Sequence, residues 1–277
     1  MIRSFALTAL MVATSSLVVI DALAPACHAH GGGGDVAVFE NNGKVDIGFA
    51  IPNDDDTQRL FFDPTDKVFQ TILIPAPPIP GAPDVGSTEP GYDSLATSKL
   101  LPGQLGDLPP GESVSYNVLD TWFWDGAALV PASGVEAGMP DVSLPISADG
   151  SFHNHPLYGL HDLTDDGNPI PDGVYVGKLS VSVTGLGESP PLYMVSLVDN
   201  ALLADADPQG AAEALGEAVR NYMDDPTGNP VPMYGGRSFA FYAEATRFTE
   251  ALAAVPEPTT ALLALAGLIG LVGYKRM

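Results

Sequence analysis

Three of the chain's five histidines fall in one short stretch, Phe152-His153-Asn154-His155-Pro156-Leu157-Tyr158-Gly159-Leu160-His161-Asp162. Residues two apart on a strand project from the same face. His153 and His155 therefore present two imidazoles side by side if this stretch is extended. Neutral imidazole ligates first-row metals, and a third ligand from the following segment, His161, would complete an open zinc or copper site. Asp162 stands close enough in sequence to ligate, or to orient a histidine by accepting its second ring proton. Asp165 and Asp166 follow in the same loop. The alternative is a surface or packing pair bonded to backbone, because most histidines are not metal ligands. Two acidic segments offer oxygen ligands suited to Ca²⁺: Asn53-Asp54-Asp55-Asp56 and the loop over residues 162–168. Neither has EF-hand spacing.

The elements that must position these groups read mainly as β. Residues 35–39 and 45–51 flank Asn42-Gly43, the pairing expected of a two-residue hairpin turn. Residues 113–124 are rich in aromatics, residues 174–183 end in strict alternation, and residues 192–198 form an apolar β-branched run. Pro/Gly-rich loops are expected over residues 74–90 and 101–111, and helices over 211–223 and 240–254. The second helix reads as a stalk. The set predicts one antiparallel β-sandwich or barrel-like domain over residues 30–254, with one or two C-terminal helices. Trp122 and Trp124 fall on one strand face in register with Tyr116. Such a face is a sugar-stacking platform if exposed and core if buried.

The chain carries a formal net charge of -23. Residues 1–29 and 256–277 hold three of its 11 cations and two of its 34 acids, so the body between them keeps 8 against 32, a net of -24. That charge opposes nucleic acid and anionic membrane as partners. It favours cations and a hydrated polyelectrolyte surrounding.

Both ends read as targeting segments. Arg3, the apolar residues 6–20 and the small residues around Ala24-Pro25-Ala26 and Cys27-His28-Ala29 make a signal peptide over 1–29, cut by signal peptidase. Cys27 is the chain's single cysteine, and a lipidated form of it is the alternative. Either way the body has no disulfide and must be held by packing or bound ions. Cleavage after Ala29 would expose His30, whose amine and imidazole with a second histidine resemble the copper brace of lytic polysaccharide monooxygenases. That would imply a secreted copper or zinc enzyme acting on extracellular polysaccharide. The glycines 31–34 are a poor mount for such a ligand, and no G-x-S-x-G motif is present. No catalytic residue is assigned.

At the other end stands Val255-Pro256-Glu257-Pro258, in which each proline keeps the preceding residue out of helix. An uncharged apolar run over 261–272 follows, with Lys275 and Arg276 just beyond it. The run, with Gly273 and Tyr274, falls short of the roughly 20 residues that span a bilayer comfortably. Pro256-Glu257-Pro258, the apolar helix and Lys275-Arg276, in this order over residues 255–277, resemble the PEP-CTERM sorting signal. The resemblance implies an exosortase-type membrane protease as partner, a transient stay in the inner membrane through a transmembrane sorting helix, and release to the cell surface or an exopolysaccharide matrix. Gly150-Ser151-Phe152-His153-Asn154-His155, Pro171-Asp172-Gly173-Val174-Tyr175 and Pro191-Leu192-Tyr193-Met194-Val195 also resemble a pattern in PEP-CTERM surface proteins. One such group is similar to Zur-repressed PEP-CTERM proteins, which would imply a link to zinc.

Overall fold

The computed structural model describes residues 35–52, 60–78, 80–94, 106–139, 144–164 and 166–255. The signal-peptide expectation over 1–29 with Cys27, the candidate ligand His30, the acidic segment Asn53-Asp54-Asp55-Asp56 and Asp165 lie outside the described residues. So do Pro256, Glu257, Pro258, the apolar run, Lys275 and Arg276. Among the described residues no helix is long and apolar enough to cross a membrane.

The fold is mainly β with a few helices. One sheet runs β12 (Phe152–Asn154), β7 (Tyr92–Ser94), β1 (Val36–Asn41), β2 (Lys44–Pro52), β3 (Leu60–Asp63). A second runs β10 (Val135–Gly138), β13 (Tyr158–Asp162), β6 (Val85–Ser87), β5 (Ile74–Pro75). The central sheet runs β11 (Leu144–Pro145), β8 (Ser113–Trp124), β14 (Gly173–Val183), β15 (Leu192–Val198), β4 (Val68–Ile72), with β9 (Leu129–Pro131) against β8. The helices are α1 (Asn200–Leu203), α2 (Pro208–Asp224) and α3 (Ala240–Ala253). A small pair, β16 (Met233–Tyr234) and β17 (Arg237–Ser238), precedes α3.

The central sheet is covered on both faces along β15 and the first half of β14. Tyr175, Leu179, Val181 and Val183 of β14, with Leu192 and Met194 of β15, pack against Val36, Val38, Val45 and Ile47 of the first sheet and Val85, Ala137, Tyr158 and Leu160 of the second. The opposite face, through Val174, Val176, Tyr193, Val195 and Leu197, packs against Leu215 and Val219 of α2 and Tyr242, Ala243 and Ala245 of α3. All seven residues of β15 are buried. A strand covered on both faces needs apolar residues at every position rather than every second one.

The Asn42-Gly43 hairpin forms as expected. Asn41 pairs with Lys44, and Asn42 and Gly43 both adopt positive φ, 53° and 79°. Both residue types tolerate that conformation, and its twist suits a hairpin. Strands at 113–124, 174–183 and 192–198 and helices at 211–223 and 240–254 are present to within a few residues.

Three expectations about the strands and helices need correction. The sheets are not wholly antiparallel: β1 pairs with β7 and β4 with β15 in parallel. The partners lie far apart in sequence, so a crossover replaces the hairpin that an antiparallel neighbour would use. The 74–90 segment, read as loop, contributes β5 and β6. And α3 is docked rather than a free stalk. Its Tyr242 hydroxyl donates within reach of the carbonyls of Thr71 and Val195, at 2.8 and 3.0 Å, and Thr246 and Thr249 are fully buried.

Tyr116 does not share a face with Trp122 and Trp124. Asp120 pairs with Lys178 and Val118 with Leu179, so Leu119 is an extra residue in the ladder. A bulge of this kind inverts the facing of everything beyond it. Val114, Tyr116 and Val118 precede it and face the sheet-side core. Trp122 and Trp124 follow it and face the helices, with the Trp124 ring 4.7 Å from Phe248. Leu119 itself is 51% exposed. The tryptophans are packing residues, as buried aromatics usually are. Deletion of Leu119 would turn both tryptophans to the wrong side and should cost at least about 3 kcal/mol in urea unfolding. An unchanged midpoint would refute the bulge's role.

The seat of α3 also carries a titrating group. Burial pushes the Glu250 carboxyl up to about 7, with the Asp66 charge adding to the rise and Arg247 opposing it. Its Oε1 is buried without a hydrogen-bond partner. Between the ordinary value of 4.5 and about 7 the folded protein keeps a proton that the unfolded chain has lost, so stability falls as pH rises through that window. Glu250→Gln should abolish this slope. It should leave stability at pH 4 unchanged and raise it at pH 8 by on the order of 1 kcal/mol, a figure reduced for partial exposure. Denaturation at the two pH values checks it.

Candidate metal centre

The edge of the first sheet brings the two histidines to acidic neighbours. In the β12–β7 ladder Phe152 pairs with Ser94, His153 with Asp93 and Asn154 with Tyr92. In the parallel β7–β1 ladder Tyr92 pairs with Val36 and Asp93 with Ala37. Phe152, Tyr92 and Val36 are core residues, so alternation turns His153 and Asp93 to the other face. Asp35, one residue before β1, falls on that face too. His155, two residues beyond His153, returns to it.

The two imidazoles meet edge to face, with ring centroids 4.8 Å apart and planes at 73°. Their Nε2 atoms are 3.1 Å apart. His155 Nδ1 lies 3.1 Å from the Thr88 carbonyl oxygen and 3.2 Å from Glu89 Oε1. His153 Nδ1 lies 3.6 Å from Asp35 Oδ2 and 3.9 Å from Asp93 Oδ1. Asp35 is held from below: its Oδ1 accepts the Gly91 backbone N–H at 3.0 Å, and the Val36 N–H donates to the Gly91 carbonyl at 2.8 Å. A Cβ at Gly91 would stand 2.6 Å from His155 Cε1 and 2.8 Å from both Asp35 Oδ1 and His155 Nδ1. Glycine is therefore the residue that lets the histidine and the carboxylate approach each other.

The side chains differ in exposure: His153 is 58% exposed, His155 35%, and Asp35 20%. Burial pushes the Asp93 carboxyl above its ordinary value, with His153 opposing the rise and the Asp35 charge adding to it. Asp35, His153 and His155 each offer one ligand-type atom, all within 4.8 Å of one another. Two imidazole nitrogens and a carboxylate suit zinc or copper better than calcium.

The other sequence candidates lie elsewhere. His161 is on β13 in the second sheet, opposite Glu136, and its imidazole covers Gly138, with Nε2 2.4 Å from the place a Cβ would take there. The segment between β12 and β13 crosses from one sheet to another, so it carries His161 away from the pair rather than back to it. Asp162 closes its own turn: its Oδ1 accepts from Thr164 N and Oγ1 at 2.8 and 2.7 Å, and its backbone N–H donates to Asp84 Oδ2 at 2.7 Å. Asp166 Oδ1 likewise accepts the Asn168 N–H at 2.8 Å, and bonds from Asn168 hold its carboxyl below the ordinary value. These loop carboxylates are spent on local turns. Asp35, Asp93 and Glu89 were not singled out from sequence. They meet the histidines through strand pairing across some 60 to 120 residues, which leaves no local pattern.

Comparison with known proteins gives one specific match. Residues 254–276 match the PEP-CTERM protein-sorting motif. No curated protein matches the chain. Among solved structures, a family 123 glycoside hydrolase from Clostridium perfringens, described for glycolipid glycan hydrolysis, overlaps 48% of this chain at 9% identity and a TM-score of 0.21. The overlap spans 23% of that protein's chain. A likeness this slight carries no argument about activity. What the comparisons establish is the address: the chain is one of the proteins that carry a PEP-CTERM protein-sorting motif.

Proposed function

We propose that the protein is an exported, acidic component of the cell surface or an exopolysaccharide matrix, sorted by an exosortase-type protease after signal peptidase has removed the leader. The sorting motif at residues 254–276 carries this reading. In it, the apolar run holds the chain transiently in the inner membrane, with Lys275 and Arg276 as its cytoplasmic stop, and the protease acts at Pro256-Glu257-Pro258. The body is read as a layered β-sandwich backed by helices. Its large net negative charge keeps it soluble in a hydrated polymer and attracts cations. The histidine pair of β12 gives that attraction one specific place, a divalent-metal site.

Position supports the sorting reading as well. α3 ends at Ala253 and Val255 is 65% exposed, so the motif begins where the docked helix ends. Val255, the residue just before Pro256-Glu257-Pro258, is thus open to a protease beside a folded body. Replacing Pro256-Glu257-Pro258 by three alanines should leave the full-length protein in the inner membrane with its tail uncut. Fractionation and mass spectrometry of the C-terminus check this, and a trimmed surface protein from the variant would refute the reading.

A further inference from the structure

We propose that Asp35 is the third ligand of a zinc- or copper-class site with His153 and His155, and that the ion clasps the chain's entry into β1 to the β7–β12 edge. The inference rests on the reading that the histidine pair binds a divalent ion.

The proton positions give the first reason. The Thr88 carbonyl can only accept, so His155 Nδ1 carries the hydrogen, and Nε2 of the neutral ring carries a lone pair. Two arrangements remain for neutral His153. If its Nε2 donates to His155, its Nδ1 lone pair confronts the carboxylates of Asp35 and Asp93. If its Nδ1 carries the hydrogen instead, that N–H points to the carboxylates, and two Nε2 lone pairs converge across 3.1 Å. The second arrangement calls for a cation between the rings. Two nitrogens at that separation, each about 2.05 Å from one ion, subtend about 98°, near a tetrahedral ligand angle.

The surroundings give the second reason. A metal-bound histidine ordinarily donates its other ring N–H to a carboxylate or a carbonyl. Both partners are present: Thr88 O and Glu89 for His155, Asp93 for His153. Asp35 offers an oxygen within 4.8 Å of a nitrogen of each ring, nearest to His153 Nδ1 at 3.6 Å, and is braced by the Gly91 N–H; turning its carboxylate from the Nδ1 side would bring it onto the ion. The donors come from residue 35, β12 and the residue just beyond it, while β7 joins β12 to β1. A body without disulfides gains a cross-link there. Anything that binds the folded state alone stabilises it.

The test is calorimetric titration of the full chain with Zn²⁺, with thermal unfolding at and without saturating Zn²⁺. Wild type should take up one ion with a raised Tm, and Ca²⁺ in excess should not compete. His153→Ala/His155→Ala should lose at least about 100-fold in affinity, and Asp35→Asn about tenfold or more, with the Zn²⁺-induced Tm rise reduced in step. Gly91→Ala, which pushes the ring and the carboxylate apart without removing a ligand, should weaken binding as well. His161→Ala should bind as wild type does. Co²⁺ in place of Zn²⁺ should give the intense visible bands of four-coordinate geometry, altered in Asp35→Asn. If Asp35→Asn binds and absorbs like wild type, Asp35 is not a ligand and the clasp is wrong, while the histidine pair stands. Equal binding by the double-histidine variant would overturn the pair itself.

Discussion

Strand β15 and the first half of β14 have no solvent face, and the rest of the architecture answers that constraint. Their alternate residues belong to two different cores. Leu179, Val181 and Met194 look toward the two outer sheets; Val176, Val195 and Leu197 look toward the helices. A sheet apolar on both sides is stable only if something covers each side. The outer sheets supply one cover and α2 with α3 the other. α3 also binds the sheet through Tyr242, whose hydroxyl lies within bonding distance of carbonyls on two adjacent strands, β4 and β15. The bulge at Leu119 follows from the same demand. The two ends of β8 serve different cores, and a single extra residue is the smallest change that moves side chains from one to the other.

The placement of the histidine cluster is a by-product of that layering. The first sheet spends its inner face on the core through Val36, Tyr92 and Phe152. At the edge its other face carries polar residues, and the short strands β12 and β7 beside the start of β1 set Asp35, Asp93 and His153 close together. Short strands cross few residues, so side chains from distant parts of the chain meet within a few ångströms. Gly91 removes the last obstacle. The result is a concentrated donor set on a rigid support, which a loop cluster such as residues 162–168 lacks, because its carboxylates are occupied by their own backbone.

The features legible in the sequence are those written locally. Asn42-Gly43 sets its hairpin through two positive-φ residues, and the apolar run of β15 declares its burial without help from distant neighbours. α2 was legible to within three residues, with Asp207 capping it and Pro208 in its first turn. His153 and His155 were correctly placed on one face because a period of two needs no tertiary knowledge. Pairing was not legible. The parallel ladders, the short strands inside a proline-rich stretch and the bulge all depend on a partner strand. A bulge shifts parity without any mark in composition, which is why Tyr116 and the tryptophans seemed to share a face. His161 was misjudged for a related reason: five residues separate it from His155, and those five cross between sheets. Asp35 could not be found, since its role depends on a residue pair 118 and 120 positions away.

The sorting motif and the body are joined with little between them, and this bears on how the protein can be processed. Among the described residues the core draws on nothing past Ala253, and the last fully buried side chain is Thr249. α3 is seated by Tyr242, whose hydroxyl reaches carbonyls of β4 and β15, and by Thr246, whose Oγ1 accepts from Gln70 of β4, while the buried Thr249 bonds the Ala245 carbonyl of its own helix; all lie upstream of the motif. Fraying of the final helical turn therefore exposes little apolar surface, and a cut after Val255 removes none of these contacts. The charge separates in the same way. The acids lie in the body, while Lys275 and Arg276 lie beyond the apolar run. A membrane-held precursor would keep its anionic body away from anionic lipid and its cations beside it. Loss of the tail would then leave a body slightly more negative than before, with its core unchanged.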